Sequence, residues 1–258
     1  MPIDESHPIM NTPKDNYKIW RYMDIPSFLS LLVENALVFS RADLMEDKFE
    51  GTLPKLSNYV IDQQLNRMVA EGILKPEYRN ASKYLFSDKT YVYLNCWCKE
   101  KTEMVHMWKI YSKESGIAIE TSYEKLKGSI IDNEKVHPTD ISYVDFDNEY
   151  VDMNANALTA YTIKRIEYKS ESELRLIVAY PRQIEDQLLL YKDNETLKTT
   201  QRRKLYNSTP ALKIKTDITK LIEKVHISPY APKWYATLVK ATLDRLDLNN
   251  IPVVRSEL

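Results

Sequence analysis

Glycine is almost missing from this chain, with four in 258 residues. A Rossmann or Walker loop needs several glycines close together, and neither a G-x-G-x-x-G nor a G-K-[ST] string occurs. Any nucleotide would therefore be gripped by side chains and helix ends. Cysteine is nearly as sparse: Cys96 and Cys98 stand one residue apart. A bridge between such close neighbours is strained, so both read as free thiols of a reducing cytoplasm. With His106 they fit no common four-ligand zinc spacing, and no metal site is expected. No apolar run approaches the roughly 20 residues of a membrane span. Met1 to Asn11 lacks the basic-then-apolar pattern of a secretion signal. Charge of one sign is not in excess either, since 36 basic residues face 37 acidic ones. These absences predict a cytoplasmic, non-membrane protein. Nothing in them fixes an oligomeric state.

What is present is ample apolar material and mixed periodicity. Strands are predicted over Tyr17–Tyr22, Ala36–Arg41, Tyr91–Cys98, Gly116–Thr121, Ile141–Phe146, Glu173–Tyr180, Ala211–Lys215, Val225–Ser228 and Pro252–Ser256. Asp24 and Pro26 signal a helix whose buried face is Phe28, Leu31 and Leu32. Further helices are expected over Leu56–Glu71, Met104–Tyr111, Tyr150–Tyr168, Asp217–Lys224 and Pro232–Leu246. Without a strict βαβ rhythm, the order predicts a single α+β domain over residues 1–258. Pro181–Ser208 is long, charged and poor in pattern, and reads as a surface insertion. In Tyr91–Cys98 the alternation puts Val92, Leu94, Cys96 and Cys98 on a core face. Tyr91, Tyr93, Asn95 and Trp97 then fall on a face suited to a pocket wall or a half-exposed sheet face.

The sharpest local feature is Glu171-Ser172-Glu173-Leu174-Arg175. On a strand, Glu171, Glu173 and Arg175 share one side while Leu174, Leu176 and Val178 enter the core. Two carboxylates oriented by a guanidinium suit a reaction whose transition state is cationic, above all cleavage at an anomeric carbon. The same spacing also describes an ion-paired, solvated strand face. Three further features carry paired readings. Trp20-Arg21-Tyr22 is either a phosphate or base grip or a strand end with a snorkelling arginine. Ser40 and Arg41 through Asp47 and Glu50 form either a ligand clamp or a self-capped turn. Trp97, Trp108 and Tyr111 are either core or a base-stacking slot. A basic zone with Lys198, Arg202, Arg203, Lys204, Lys213 and Lys215 either tracks a nucleic-acid backbone or is an ordinary charged face.

Taken in order, several segments resemble the bacterial family catalogued as domain of unknown function 2971. They are Trp20-Arg21-Tyr22-Met23, Phe39-Ser40-Arg41, Asp47-Lys48-Phe49-Glu50-Gly51, Asn95-Cys96-Trp97 and Met107-Trp108-Lys109-Ile110-Tyr111. Gly116-Ile117-Ala118-Ile119, Lys164-Arg165 with Tyr168, Glu171-x-Glu173-x-Arg175, Ile227-Ser228-Pro229 and Val254-Arg255-Ser256 complete the set. The resemblance covers most of the chain except Pro181–Ser208, and adds Lys164, Tyr168 and Ser256 to the ligand-binding candidates. The order of an arginine on the first strand, a serine or tyrosine on a second and E-x-E on a later one is similar to ADP-ribosyltransferases of the Arg-Ser-Glu type. That similarity implies a mixed central sheet with flanking helices. It puts Glu173 on the ribose, Glu171 facing the acceptor and Arg21 on the dinucleotide phosphates. Ser40 or the Tyr91–Trp97 strand would fill the middle motif, although no Ser-Thr-Ser string exists.

Together these features lead to an enzyme that cleaves an N-glycosidic bond, in the setting of bacterial anti-phage defence. Acting on nucleic acid, it would excise a flipped, possibly modified base and require no cofactor. Acting on NAD as substrate, it would transfer or hydrolyse ADP-ribose. A non-catalytic nucleotide- or nucleic-acid-binding module is the reading from a different class.

Overall fold

Alternating short strands and amphipathic helices build one mixed α+β domain. The computed structural model describes residues 2–79, 89–111, 115–152, 156–180 and 209–258. Its strands are β1 (Lys18–Asp24), β2 (Ala36–Arg41), β3 (Val92–Lys99), β4 (Gly116–Ser122), β5 (His137–Asp140), β6 (Ser142–Val144), β7 (Ile163–Arg165), β8 (Glu173–Ala179), β9 (Ala211–Lys215), β10 (Lys224–Ile227) and β11 (Val253–Arg255). Its helices are α1 (Ile25–Glu34), α2 (Lys55–Ala70), α3 (Val105–Tyr111), α4 (Tyr123–Ser129), α5 (Ile218–Leu221) and α6 (Lys233–Arg245). The expected insertion over Pro181–Ser208 lies outside the described residues. No described helix is long and apolar enough to cross a membrane.

Nine strands form one sheet that branches at β3. Along one edge β3 pairs antiparallel with β8 from Val92↔Ala179 to Cys98↔Glu173. Its other edge is shared, with β1 paired at Trp20↔Cys98 and β2 at Ser40↔Leu94. One arm continues through β1, β4, β10 and β11, and the other through β2 and β9. β5 lies outside β8 and carries Pro138, which an edge strand tolerates.

Local chemistry explains the elements. Asp24 caps α1 by accepting from the Ser27 amide, Pro26 sits in its first turn, and Asn35 ends it in the left-handed conformation. Phe28, Leu31 and Leu32 bury its inner face, each worth about 1.5–3 kcal/mol. They join the main core with Ile19, Met23, Trp97, Ile117, Ile119, Leu174, Leu176 and Val225. A second core gathers Met10, Leu53, Val92, Leu94, Tyr161, Ile163 and Ile177. A small third one lies under α3, around Trp20, Tyr22, Cys98 and Trp108.

Three expectations are corrected. Tyr150–Tyr168 is not one helix. It contains a 3-10 turn (Ala157–Tyr161), β7, and the start of a second 3-10 turn (Ile166–Glu171). Asn156 caps the first turn and the Thr162 hydroxyl bonds the Thr159 carbonyl, local bonds that compete with a continuing helix. Ile141–Phe146 is not one strand. β5 adds to β8 and β6 leaves the sheet to pair with β7. Finally, Tyr93, Asn95 and Trp97 do not wall a pocket: all three are buried. The Asn95 amide donates to the Val38 carbonyl and its carbonyl accepts from the Trp97 indole at 2.7 Å, which satisfies the polar groups of that core face.

Candidate functional site

The strand β8 begins only at Glu173, because Ser172 turns the chain in a left-handed conformation at φ 46°. Glu171 therefore ends the preceding 3-10 turn and does not lie on the strand. The Ser172 hydroxyl donates to the Lys99 carbonyl at 2.8 Å, and the Glu173 amide donates to the Tyr143 hydroxyl at 2.8 Å. The two acids still meet, on Lys164 of β7. Its ammonium lies 2.5 Å from Glu171 Oε2 and 3.2 Å from Glu173 Oε2.

Arg175 is completely buried. Its Nε reaches Glu173 Oε1 at 2.7 Å. Its two Nη atoms clasp both oxygens of Glu50 at 2.6 and 2.9 Å, and Nη1 also donates to the Tyr161 carbonyl at 3.0 Å. Three carboxylates thus converge on two cations inside the second core. The resemblance pattern named Glu50 and Lys164 without a geometry, and the structure supplies it. Gly51 turns with φ +64° against the Tyr161 ring, which brings Glu50 under the sheet.

The electrostatics follow from burial and pairing. Burial pushes the Glu173 carboxyl up, but Arg175 and Lys164 outweigh it and hold the group at about 2. Burial opposes the Lys164 ammonium, yet Glu173 and Glu171 raise it well above the usual lysine range. Burial, followed by the Glu173 charge, pushes the Cys96 thiol up, so it stays protonated and bonds to Glu173. Toward the surface, the Tyr111 hydroxyl donates to Glu171 Oε1 at 3.4 Å, and Tyr168 lies under the Lys164 ammonium at 4.7 Å. Arg165 stacks on Phe49 and Tyr168 and reaches Asp47 at 3.2 Å. Glu171, Lys164, Tyr111 and Tyr168 are thus the outward end of an otherwise interior cluster.

The other expected residues are elsewhere. Arg21 leaves β1 on the main-core side, where Nη1 donates to the Cys96 carbonyl at 3.0 Å and the guanidinium faces the Trp97 ring. Among the described residues no ion pair joins it to Glu171 or Glu173. This corrects the expectation that it converges with them, because strand parity sends it to the opposite face from Glu173. Tyr22 and Trp108 pack edge to face in the third core, and Trp97 is in the main core. The stacking-slot reading of Trp97 and Trp108 is thereby replaced by core packing. Ser40 sits in the β2–β3 ladder, and Arg41 forks onto Asp43. Lys213 pairs with Glu34 at 2.6 Å and Lys215 is exposed on β9, whereas Lys198, Arg202, Arg203 and Lys204 lie outside the described residues.

Ser256 belongs to a second polar cluster that the sequence reading missed. His226 on β10 lies between Glu103 (3.0 Å from Nδ1) and Glu120 (2.6 Å from Nε2). Trp108 donates to Glu103, Lys18 pairs with Glu120 at 2.6 Å, and the Ser256 side chain bonds Glu103. Burial pushes both carboxyls up, but His226 beside Glu103, and Lys18 and His226 beside Glu120, hold both below the usual range. The available signal was a single acid in the apolar run Gly116–Thr121 and a single histidine in Val225–Ile227. Two open clefts of about 530 and 470 Å³ adjoin elsewhere, along Asn11–Asp15, Tyr17 and Tyr123.

The sequence matches no protein-family model, and comparison with curated proteins and with solved structures finds no match.

Proposed function

We propose that this chain is an enzyme that cleaves an N-glycosidic bond in nucleic acid, with its reacting end at Glu171, Lys164, Tyr111 and Tyr168. The observation that carries this reading is the convergence of Glu171 and Glu173 on one ammonium, with Glu171 at the outward end. A carboxylate fixed before the reaction stabilises the positive charge that develops on the sugar as the base departs. Glu173, held at about 2, keeps its negative charge throughout the neutral range. The exposed Tyr111 ring offers a face for an extruded base. Exposed Lys215 on β9 suits a phosphate backbone. The resemblance to the domain of unknown function 2971 family, and the anti-phage setting, belong to the same proposal.

Lys164 decides between two chemistries. Its proton is held tightly, so it is an electrostatic and hydrogen-bonding group and not an amine nucleophile. Water is the acceptor, no cofactor is needed, and no imine forms between protein and sugar. The NAD version draws less support, because Arg21 does not join the carboxylates. One observation favours the binding-module reading instead: both oxygens of Glu173 already have protein partners.

The test is incubation of the purified protein with plain DNA, base-modified DNA and NAD, followed by assays for abasic sites and for nicotinamide. Abasic sites are expected, without a borohydride-trapped adduct. Glu171→Gln should lower the rate by about 100- to 1,000-fold with unchanged melting. A trapped adduct would overturn the role given to Lys164. Tight binding without either product would establish the binding module.

A further inference from the structure

The segment Pro2–Thr12 lies across β5 and contributes to the main core through Ile3 and to the second through Ile9 and Met10, without being part of the sheet proper. At one end the Asp4 amide donates to the Val136 carbonyl at 2.8 Å and the Val136 amide to Pro2 at 2.9 Å. At the other, the Asn11 amide donates to the Thr139 hydroxyl at 3.1 Å and the Asp140 amide to the Asn11 carbonyl at 2.8 Å. Between these anchors, Met10 and Ile9 pack on the second core beside Tyr161 and Ile177. Tyr161 is the residue whose carbonyl holds Arg175. The segment is therefore a strap that closes the core containing the ion cluster.

At the middle of the strap two histidines meet. The His7 and His137 rings lie edge to face with centroids 5.0 Å apart. The Nδ1 atom of each is buried without a hydrogen-bond partner. Such an arrangement is stable only while the pair is neutral or singly charged, since two imidazolium ions at this distance repel and the buried Nδ1 of each has no compensating partner.

We propose that Pro2–Thr12 is an acid-released strap whose latch is the His7–His137 imidazole pair. The charged and titratable groups facing His137 are His7 and Asp4 from the strap and Lys135 from the turn just before β5. Ile177, opposite it on β8, is apolar. Asp4 already holds Lys135 at 2.6 Å and stands 3.6 Å from His137 Nδ1, so it offsets only part of a new positive charge. Burial first, and the charge of His7 second, keep His137 below its ordinary value of 6.5. With the strap in place the ring binds protons more weakly than when it is free. The latch is thus intact above about pH 6.5 and loses strength as the pH falls below it. Glu5 adds a separate anchor to Tyr123 and Lys127.

This inference does not depend on the glycosidic reading, and its test does not use activity. Hydrogen exchange at the Asp4, Asn11, Val136 and Asp140 amides is measured at pH 7.5 and 5.5, with correction for intrinsic rates. Protection at these four amides should fall several-fold, up to about tenfold, at the lower pH, while the Ile119 and Val225 amides of the main core stay protected. His7→Phe combined with His137→Phe should hold the protection constant. Equal protection of the natural protein at both values would overturn the proposal, as would an identical acid loss in the double variant. If that variant does not fold, the release midpoint of the natural protein decides. Coincidence with the His137 ring titration supports the latch, and a midpoint in the carboxylate range near 4 refutes it.

Discussion

Arg175→Leu is expected to cost about 3–5 kcal/mol of stability, a large part of the roughly 5–15 kcal/mol available to a domain. The guanidinium is fully buried and serves Glu50 with two bonds, Glu173 with one and the Tyr161 carbonyl with one. Lys164 can still neutralise Glu173 after the substitution, but Glu50 is left buried without its cation. Desolvation of that charge dominates the loss, more than the missing attraction. Thermal denaturation should show a midpoint lower by roughly 10 °C or more. Replacing Glu50, Glu173 and Arg175 together by leucine is the informative companion. An apolar trio of similar volume should recover most of the stability while removing the proposed activity. If the trio folds well and activity survives, the cluster is a structural staple only.

The same cluster sets an acid limit. The folded-state value of Glu173 is depressed to about 2, below its ordinary 4.5. Its contribution is therefore fully present above about 4.5 and is lost as the pH falls toward 2. Acid titration of the natural protein should show a stability loss across that window, and Glu173→Gln should flatten it. This is a lower window than the one assigned to the strap, so the two transitions separate on the pH axis.

Much of the architecture was legible because periodicity reports burial. Ala36–Arg41 and Ala211–Lys215 match their strands end to end, and Asp24 marks α1 by its cap. The failures have physical causes. Tyr93, Asn95 and Trp97 look amphipathic, yet both faces of β3 are covered, because Tyr93 and Trp97 enter the main core while Val92 and Leu94 enter the second. Asn95 is polar in composition and internal in place, since one amide satisfies both Val38 and Trp97. The E-x-E-x-R string correctly brings Glu173 and Arg175 together, because period-two spacing is a local property. Glu171 reaches the cluster by another route, through the left-handed Ser172. Arg21 was misplaced for the opposite reason, as its position depends on which strands become neighbours and on side-chain parity across three of them. No local spacing encodes that. The His226 cluster joins residues more than a hundred positions apart, from β4, β10 and the approach to α3, and was equally invisible.

Gly51→Ala should be more damaging than the same change at Gly72 or Gly128. Of the few glycines present, Gly51 combines a positive φ of +64° with a crowded Cβ position. An added methyl would fall on Cε1 of Tyr161 and 2.7 Å from its Cζ. The left-handed backbone costs an L-residue about 1–2 kcal/mol. Forcing the ring aside in a packed core adds about 1–3 kcal/mol. The displacement also bears on the ion cluster from two directions, because Glu50 precedes the glycine and Tyr161 supplies a carbonyl to Arg175. A denaturant melt should therefore show both a lower midpoint and, for the proposed enzyme, lower activity. Gly72 is the internal control: its φ is +72° but nothing lies within 4 Å of its Cβ position, so Gly72→Ala should cost only the backbone share. A double-mutant cycle separates the two causes. Tyr161→Leu removes the ring, so Gly51→Ala in that background should lose its steric share and cost about as much as Gly72→Ala. Full additivity of Gly51→Ala and Tyr161→Leu would show that the ring is not what reserves this position for glycine.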